Sequence, residues 1–407
     1  MEVKQTQQIA DQIRRQILGI AIKNGGCYLA QACSSAEIIA SLYTQIMNLG
    51  PSAGEWDAIE FPGVPGPDNM DYQHGSLYNG APAPDKDRFF VSCCHYASVI
   101  YCALAATGRI SPSALDKFNV DGWNMEMIGA EHSPGFENTA GSLGQTISIA
   151  AGTAHARKMH GETGLVYCLL GDGELQEGQN WECIQTAAYY ELDNFIVIID
   201  ANGQQVEGAI EDQMTEKHMK ERFEAFGAKC VTCDGHDIDS IMDACKTQHQ
   251  GKPLVVICQT HGYTGVPPLK EKYPLLHFVR ISEEEKPVYQ AIYEEMTRKL
   301  MQPENPGKEK PEEDESEKKC KEKKDEKKGK AEKNCEKKKD EKTGKSEKNC
   351  EKNSEKKRDK KAGKSGKKHE EKKDKKDKKQ KKGRKDKKEK KGKEKGRKEK
   401  MTGGDKA

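Results

Sequence analysis

The sequence predicts an α/β domain with a mostly parallel sheet covered by helices on both faces, followed by a disordered charged tail. Three observations carry that expectation. Between Leu165 and Thr260 the apolar runs LVYCLL, FIVIID and PLVVICQT alternate with helical stretches, and strands that alternate with helices imply parallel pairing through right-handed crossovers. Charge divides the chain: residues 1–300 hold 22 Lys and Arg against 39 Asp and Glu, a net of −17, whereas residues 301–407 hold 46 against 27, a net of +19. The whole-chain value of +2 therefore averages a domain over 1–300 and a Lys/Glu-rich, low-complexity tail over 301–407. Finally, 300 residues suffice for one large α/β core.

The elements follow in order. Ile9, Ile13, Ile17 and Ile20 recur at helical spacing, which predicts a helix over 6–23. Ser34-Ser35-Ala36-Glu37 before IIASLYTQIM reads as a capped second helix. DRFFVSCCH contains a buried strand and SPSALDKF a short helix. LVYCLL is a buried strand that breaks at Gly171-Asp172-Gly173. A helix with Trp181, Cys183, Ile184, Ala187 and Ala188 on its apolar side precedes the strand FIVIID, which ends at Ala201-Asn202-Gly203. The helix in TEKHMKERFEAFG, the strand CVTC, the helix DIDSIMDACKTQ and the strand PLVVICQT complete the series.

The tail from Pro303 has no aromatic residue and almost no aliphatic one, so it has nothing to bury against the entropy of ordering. Cys320, Cys335 and Cys350 open three similar blocks, fifteen residues apart. A basic segment of this kind could hold a polyanion, but its acidic residues are interspersed and it lacks aromatic side chains to stack on bases, which favours a solvated charge run. Eleven of the 14 cysteines lie in 1–300, scattered through apolar segments, the pattern of reduced thiols in a cytoplasmic protein. EVKQTQQ after Met1 predicts no signal peptide, and no apolar run reaches the roughly 18 residues of a membrane helix. Cys230 and Cys233 with His236 could suggest zinc, yet no second ligand pair follows, so CVTC reads as a strand and DGHD as its exit.

Asp172 and Asn202 end two successive strands, thirty residues apart, the length of one βαβ unit. Ligands of parallel sheets bind beyond the carboxyl ends of the strands. If these two strands are neighbours, a carboxylate and an amide oxygen face one crevice. That is a hard-oxygen set for Mg²⁺ or Ca²⁺, with diphosphate oxygens completing the shell. Gly173 would leave room for a phosphate to approach the backbone.

GDGELQEG followed by DNFIVIIDANGQQVEG resembles the thiamine-diphosphate motif of the transketolase family. The resemblance implies a thiamine-diphosphate-binding fold with Asp172, Asn202 and the backbone carbonyl of Gln204 as metal ligands, and Gly173 against the diphosphate. GFENTAGSLGQTISIAAGTAHARK resembles the family's helix entry, which makes Gly141 and Leu143 cofactor contacts. DRFFVSCCHYASVIYCALAATG resembles the segment that carries a histidine beside the diphosphate and the substrate entrance, here His95. THGYTGVPP…YPLLHF resembles a segment ending in a second active-site histidine, here His277. Glu177 and Glu182 match acidic positions that the family places at its subunit interface, linking paired sites.

The match, over roughly 5–290, also has departures. Tyr28 stands where the family has a substrate-facing histidine, and a phenol cannot share protons near neutrality as imidazole does. Cys93-Cys94 replaces Lys-Gly, His261 replaces a Lys, and the family's G-H-P gives way to GAEHSPG, in which His132 either substitutes for the family histidine or is unrelated to it. The family's second α/β domain, which binds the aminopyrimidine ring, has no counterpart in this sequence. The resemblance thus implies the N-terminal subunit of a split transketolase, transferring a two-carbon ketol unit from a ketose or ketose phosphate to an aldose. Its partner would be a C-terminal subunit, in a heterotetramer or larger assembly. Two alternatives stay open: another thiamine-diphosphate reaction such as 2-oxoacid decarboxylation, and a non-catalytic protein that binds polyanions through its tail.

Overall fold

The N-terminal periodicity becomes α1 (Val3–Asn24), whose Ile13, Ile17 and Ala21 are fully buried. The computed structural model describes residues 2–70, 72–210 and 216–302; the expected disorder of the tail lies outside them. After α1 come β1 (Gly26–Cys27), α2 (Leu29–Ser41), β2 (Arg88–Val91), α3 (Ala97–Ala106), α4 (Thr146–His160), β3 (Val166–Gly171) and α5 (Gly178–Tyr189). The chain continues through β4 (Phe195–Ala201), β5 (Gln204–Gln205), β6 (Gly208–Ala209), α6 (Glu216–Ala225), β7 (Lys229–Asp234), α7 (Ile238–Cys245), β8 (Leu254–Gln259), α8 (Leu269–Lys272), β9 (Val279–Arg280) and α9 (Lys286–Met301).

The main sheet runs β2-β3-β4-β8-β7, parallel throughout. Its strands are apolar along their whole length because both faces are covered. Alternate side chains serve opposite cores. Ile196 and Ile198 of β4 join the core beneath α1, α2 and α3, whereas Val197 and Ile199 join the core beneath α4, α5 and α6. In β3 and β4 the register pairs Val166 with Phe195 and Gly171 with Asp200, so the turns after both strands leave the sheet at one level.

One local expectation is corrected. Ser34 and Ser35 do not cap a helix: α2 begins at Leu29 and buries both. Ser34 Oγ instead donates to Asp200 Oδ2 at 2.6 Å, and Ser35 Oγ to the Gln31 carbonyl at 2.5 Å. A buried serine needs an acceptor, and these are the ones within its reach. SPSALDKF forms a 3₁₀ segment, Pro112–Lys117, in which Ser111 accepts from the Ser113 N–H at 3.2 Å. CVTC lies in β7, with Cys233 paired in register with Cys258.

Helices α1 and α2 are joined by a buried ion pair. Arg14 donates to Glu37 and, at 3.3 Å, to the Cys33 carbonyl; Glu37 also receives Gln7 Nε2 at 3.1 Å. Burial alone would raise the Glu37 carboxyl, but the His236 hydrogen bond and the Arg14 charge prevail and hold it near about 2. A depressed carboxylate contributes stability above its unfolded pKa that is lost as pH falls through the folded one. Glu37→Gln should therefore lower stability at pH 7 by about 3–5 kcal/mol. In urea unfolding, the gap from the native protein should shrink between pH 4.5 and about 2. Parallel acid limbs in the two proteins would show that the pair contributes nothing.

Candidate functional site

Because β3 and β4 are neighbours, their exits converge. Asp172 is 3 % exposed; its Oδ1 accepts from the Gly173 N–H at 2.9 Å and its Oδ2 from the Gly203 N–H at 2.7 Å. Burial pushes this carboxyl up to about 8, against the pull of the Gly203 N–H and with help from the nearby Asp200. Asn202 Nδ2 donates to Asp200 Oδ2 at 3.1 Å, which fixes the amide, and its Oδ1 accepts from the Gln204 N–H at 3.0 Å. Gln204 opens the β5–β6 hairpin opposite Ala209.

A cavity of about 290 Å³ lies over these turns. Asp172, Gly173, Asn202 and Gln204 line it, and so do His95, His277, Leu143 and Glu177. The imidazoles of His95 and His277 are 4.8 Å apart, centroid to centroid. Burial, with His277 beside it, drives His95 down to about 3, so at neutral pH it is an uncharged ring. Tyr28 packs against both, at 5.4 Å and 5.5 Å. The remaining candidates do not line the cavity. Gly141, at φ +119°, lies where an added Cβ would sit 3.9 Å from Cys94 Sγ. Glu182 is exposed farther along α5. His132 bonds Glu126 and packs on Phe61.

Two buried carboxylates that the sequence did not single out organise the site. Asp200 is fully buried and accepts from Ser34, Tyr96, Asn202 and Thr260. Its one sequence signal is an acidic residue at the end of an otherwise apolar strand. Glu174, raised by burial, accepts from Ser92 Oγ, from Cys93 Sγ at 3.0 Å and from the Gly144 N–H at 2.7 Å. It thereby ties the β2 and β3 exits to the entry of α4. Glu174→Gln should destabilise the domain by about 1–3 kcal/mol in urea unfolding, since an amide turns an N–H₂ toward one of these donors. A change below about 0.5 kcal/mol would mean that the donors find other partners.

The donor set decides what the site can hold. Among the described residues no group of three His, Cys, Asp or Glu is placed to bind a metal. The turns instead offer one carboxylate, one amide oxygen and backbone carbonyls, which suit a hard divalent cation and not zinc. The cavity is lined by Asp172, Glu174, Glu177 and Glu207 and, among the described residues, by no Lys or Arg. Gln31 Oε1 and Gln204 Oε1, both on lining residues, are buried without a partner. A Cβ on Gly173 would sit 3.2 Å from Gln205 Cβ, so that wall is packed tightly against the β5–β6 hairpin. An anionic group could enter against these carboxylates only with a cation beside it.

The family described as transketolase, thiamine diphosphate binding domain, matches residues 79–343. An uncharacterized transketolase family protein of Sinorhizobium fredii is 33% identical over 280 residues, covering 68% of this chain and 90% of that protein. One subunit of the apulose-4-phosphate transketolase of Actinobacillus succinogenes is 34% identical over 260 residues, 63% of this chain and 84% of that protein. Among solved structures, transketolase from Campylobacter jejuni aligns with a TM-score of 0.53 at 23% identity, over 74% of this chain. This chain spans about half of that enzyme, 48% of its length. With the shared fold, the strand-end motif and these matches, the chain belongs to the transketolase family and carries its thiamine-diphosphate-binding domain.

Proposed function

We propose that this chain is the N-terminal subunit of a two-chain transketolase-like transferase, moving a two-carbon ketol unit from a ketose or ketose phosphate to an aldose. The single observation that carries the reading is the convergence of Asp172, Asn202 and Gln204 with His95 and His277 in one cavity. Asp172, the Asn202 amide oxygen and the Gln204 carbonyl would hold Mg²⁺, or Ca²⁺, against a diphosphate lying along Gly173. Thiamine diphosphate would supply the carbon nucleophile that carries the two-carbon unit. His95 and His277, close together, would exchange hydrogen bonds with substrate hydroxyls at the mouth. Glu177 and Glu182 would face a second copy and link paired sites.

A second chain is supported by the Actinobacillus succinogenes relative, which is itself named as one subunit of a transketolase and of which this chain covers 84%. The partner would bring the pyrimidine-binding domain and, since no Lys or Arg among the described residues lines the cavity, the cations for a substrate phosphate. The domain would occupy 1–300 and act in the cytoplasm, as part of a heterotetramer or larger assembly. Among the described residues no helix is long and apolar enough to cross a membrane. A second reading, another thiamine-diphosphate reaction such as 2-oxoacid decarboxylation, is favoured by one observation: a phenol, Tyr28, and not an imidazole packs on His95 and His277. A donor panel on the reconstituted pair separates the two.

Calorimetry tests the core of the reading. Thiamine diphosphate with Mg²⁺ should bind in the presence of the second chain, and Asp172→Ala should weaken it at least about 100-fold. Because the metal takes the ionised carboxylate, affinity should rise with pH as Asp172 loses its proton, levelling off above about 8. No binding with the partner present would sink the proposal. Deleting 303–407 should leave this affinity unchanged, and a large loss would transfer attention to the tail.

A further inference from the structure

His236 follows β7 in DGHD and takes no part in the cavity described above. It faces the loop Thr260–Gly265, which walls that cavity. Its Nε2 lies 2.9 Å from the His261 amide nitrogen and 3.0 Å from Thr264 Oγ1. A backbone N–H can only donate, so Nε2 is the acceptor and the ring proton sits on Nδ1. Nδ1 in turn points at Glu37 Oε2, 3.1 Å away. The receiving carboxylate is held by Arg14 and Gln7, with the Arg14 and Glu37 side chains 4% and 3% exposed. Helices α1 and α2 thus fix the tautomer of the ring that holds the loop Thr260–Gly265.

The loop is tied to the cofactor turns at its other end. Thr260 N–H donates to the Ala201 carbonyl at 3.2 Å and Thr260 Oγ1 donates to Asp200, the carboxylate that also orients Asn202. Gly262 lines the cavity, and an added Cβ there would lie 3.2 Å from Ala30 and 3.5 Å from Leu276. The wall is therefore packed between the start of α2 and the segment that carries His277. The glycine of DGHD permits the approach: a Cβ on Gly235 would collide with Thr260 Cγ2.

We propose that His236 is a positioning residue: through its Nδ1–H to Glu37 and its Nε2 acceptor to His261, it anchors the loop Thr260–Gly265 as one wall of the diphosphate and metal cleft. The part of this inference that concerns the cleft rests on the function proposed above; the anchoring itself does not.

Native-state amide exchange on the full chain tests it with two variants. Gln places an oxygen near the position of Nε2 and can accept from His261, whereas Asn reaches only as far as Nδ1. His236→Asn should speed exchange at His261 and Gly262 at least about 10-fold, while amides of α4 and β4 remain as protected as in the native protein. His236→Gln should restore most of the protection. With the second chain present, calorimetry should show thiamine diphosphate with Mg²⁺ weakened about 10-fold by Asn and recovered by Gln. Unchanged exchange at His261 in His236→Asn, or an equal rise in α4 and β4, would overturn the anchoring. Faster exchange at His261 with unaltered cofactor affinity would overturn its bearing on the cleft. If the native protein binds no cofactor, the proposed function fails, and the exchange data alone decide the anchoring.

Discussion

Asp200 ends β4 with no exposure to solvent, and a buried carboxylate is tolerated only where donors surround it. Its donors come from four separate segments: Ser34 in α2, Tyr96 beside α3, Asn202 after β4 and Thr260 after β8. Each is thereby held at the same end of the sheet. The arrangement explains why α2 keeps Ser34 in its interior, where an apolar residue would pack more simply. It also explains how Asn202 presents its carbonyl oxygen, since its N–H₂ is committed to Asp200.

Two further buried carboxylates repeat the device. Glu174 gathers Ser92, Cys93 and Gly144, which joins the β2 exit and the α4 entry to the turn that carries Asp172. Glu37 gathers Arg14, Gln7 and His236, which joins α1 and α2 to the β7 exit. Half-satisfied networks of this type are costly, and complete ones specify a single arrangement. The loops above the sheet are therefore held by charge at its end, while apolar packing does the corresponding work within it.

Departures from the family pattern are absorbed by the same logic. Cys93 stands at a family lysine position, and its thiol donates to Glu174 at 3.0 Å while accepting from the Gly171 N–H at 3.3 Å. The neutral thiol thereby serves the buried Glu174 as a donor. Tyr28, which the sequence resemblance sets at a family histidine position, packs on His95, His277 and Phe278.

Read alone, the sequence determined the parallel α/β class, the five strands of the main sheet, and the two strand ends that carry Asp172 and Asn202. Those features are local: apolar runs of strand length, helical periodicity and turn residues at the breaks. It also marked His95 and His277 as candidates through motif resemblance. Tertiary structure decided that β3 and β4 lie side by side, that His95 meets His277 across 182 residues of chain, and that Ser34 is a donor and not a cap. It alone revealed Asp200, Glu174 and the Glu37–His236 link. A single acidic residue in a sequence shows neither its burial nor its donors, because those arrive from segments far away in the chain and meet only when the sheet has set their positions.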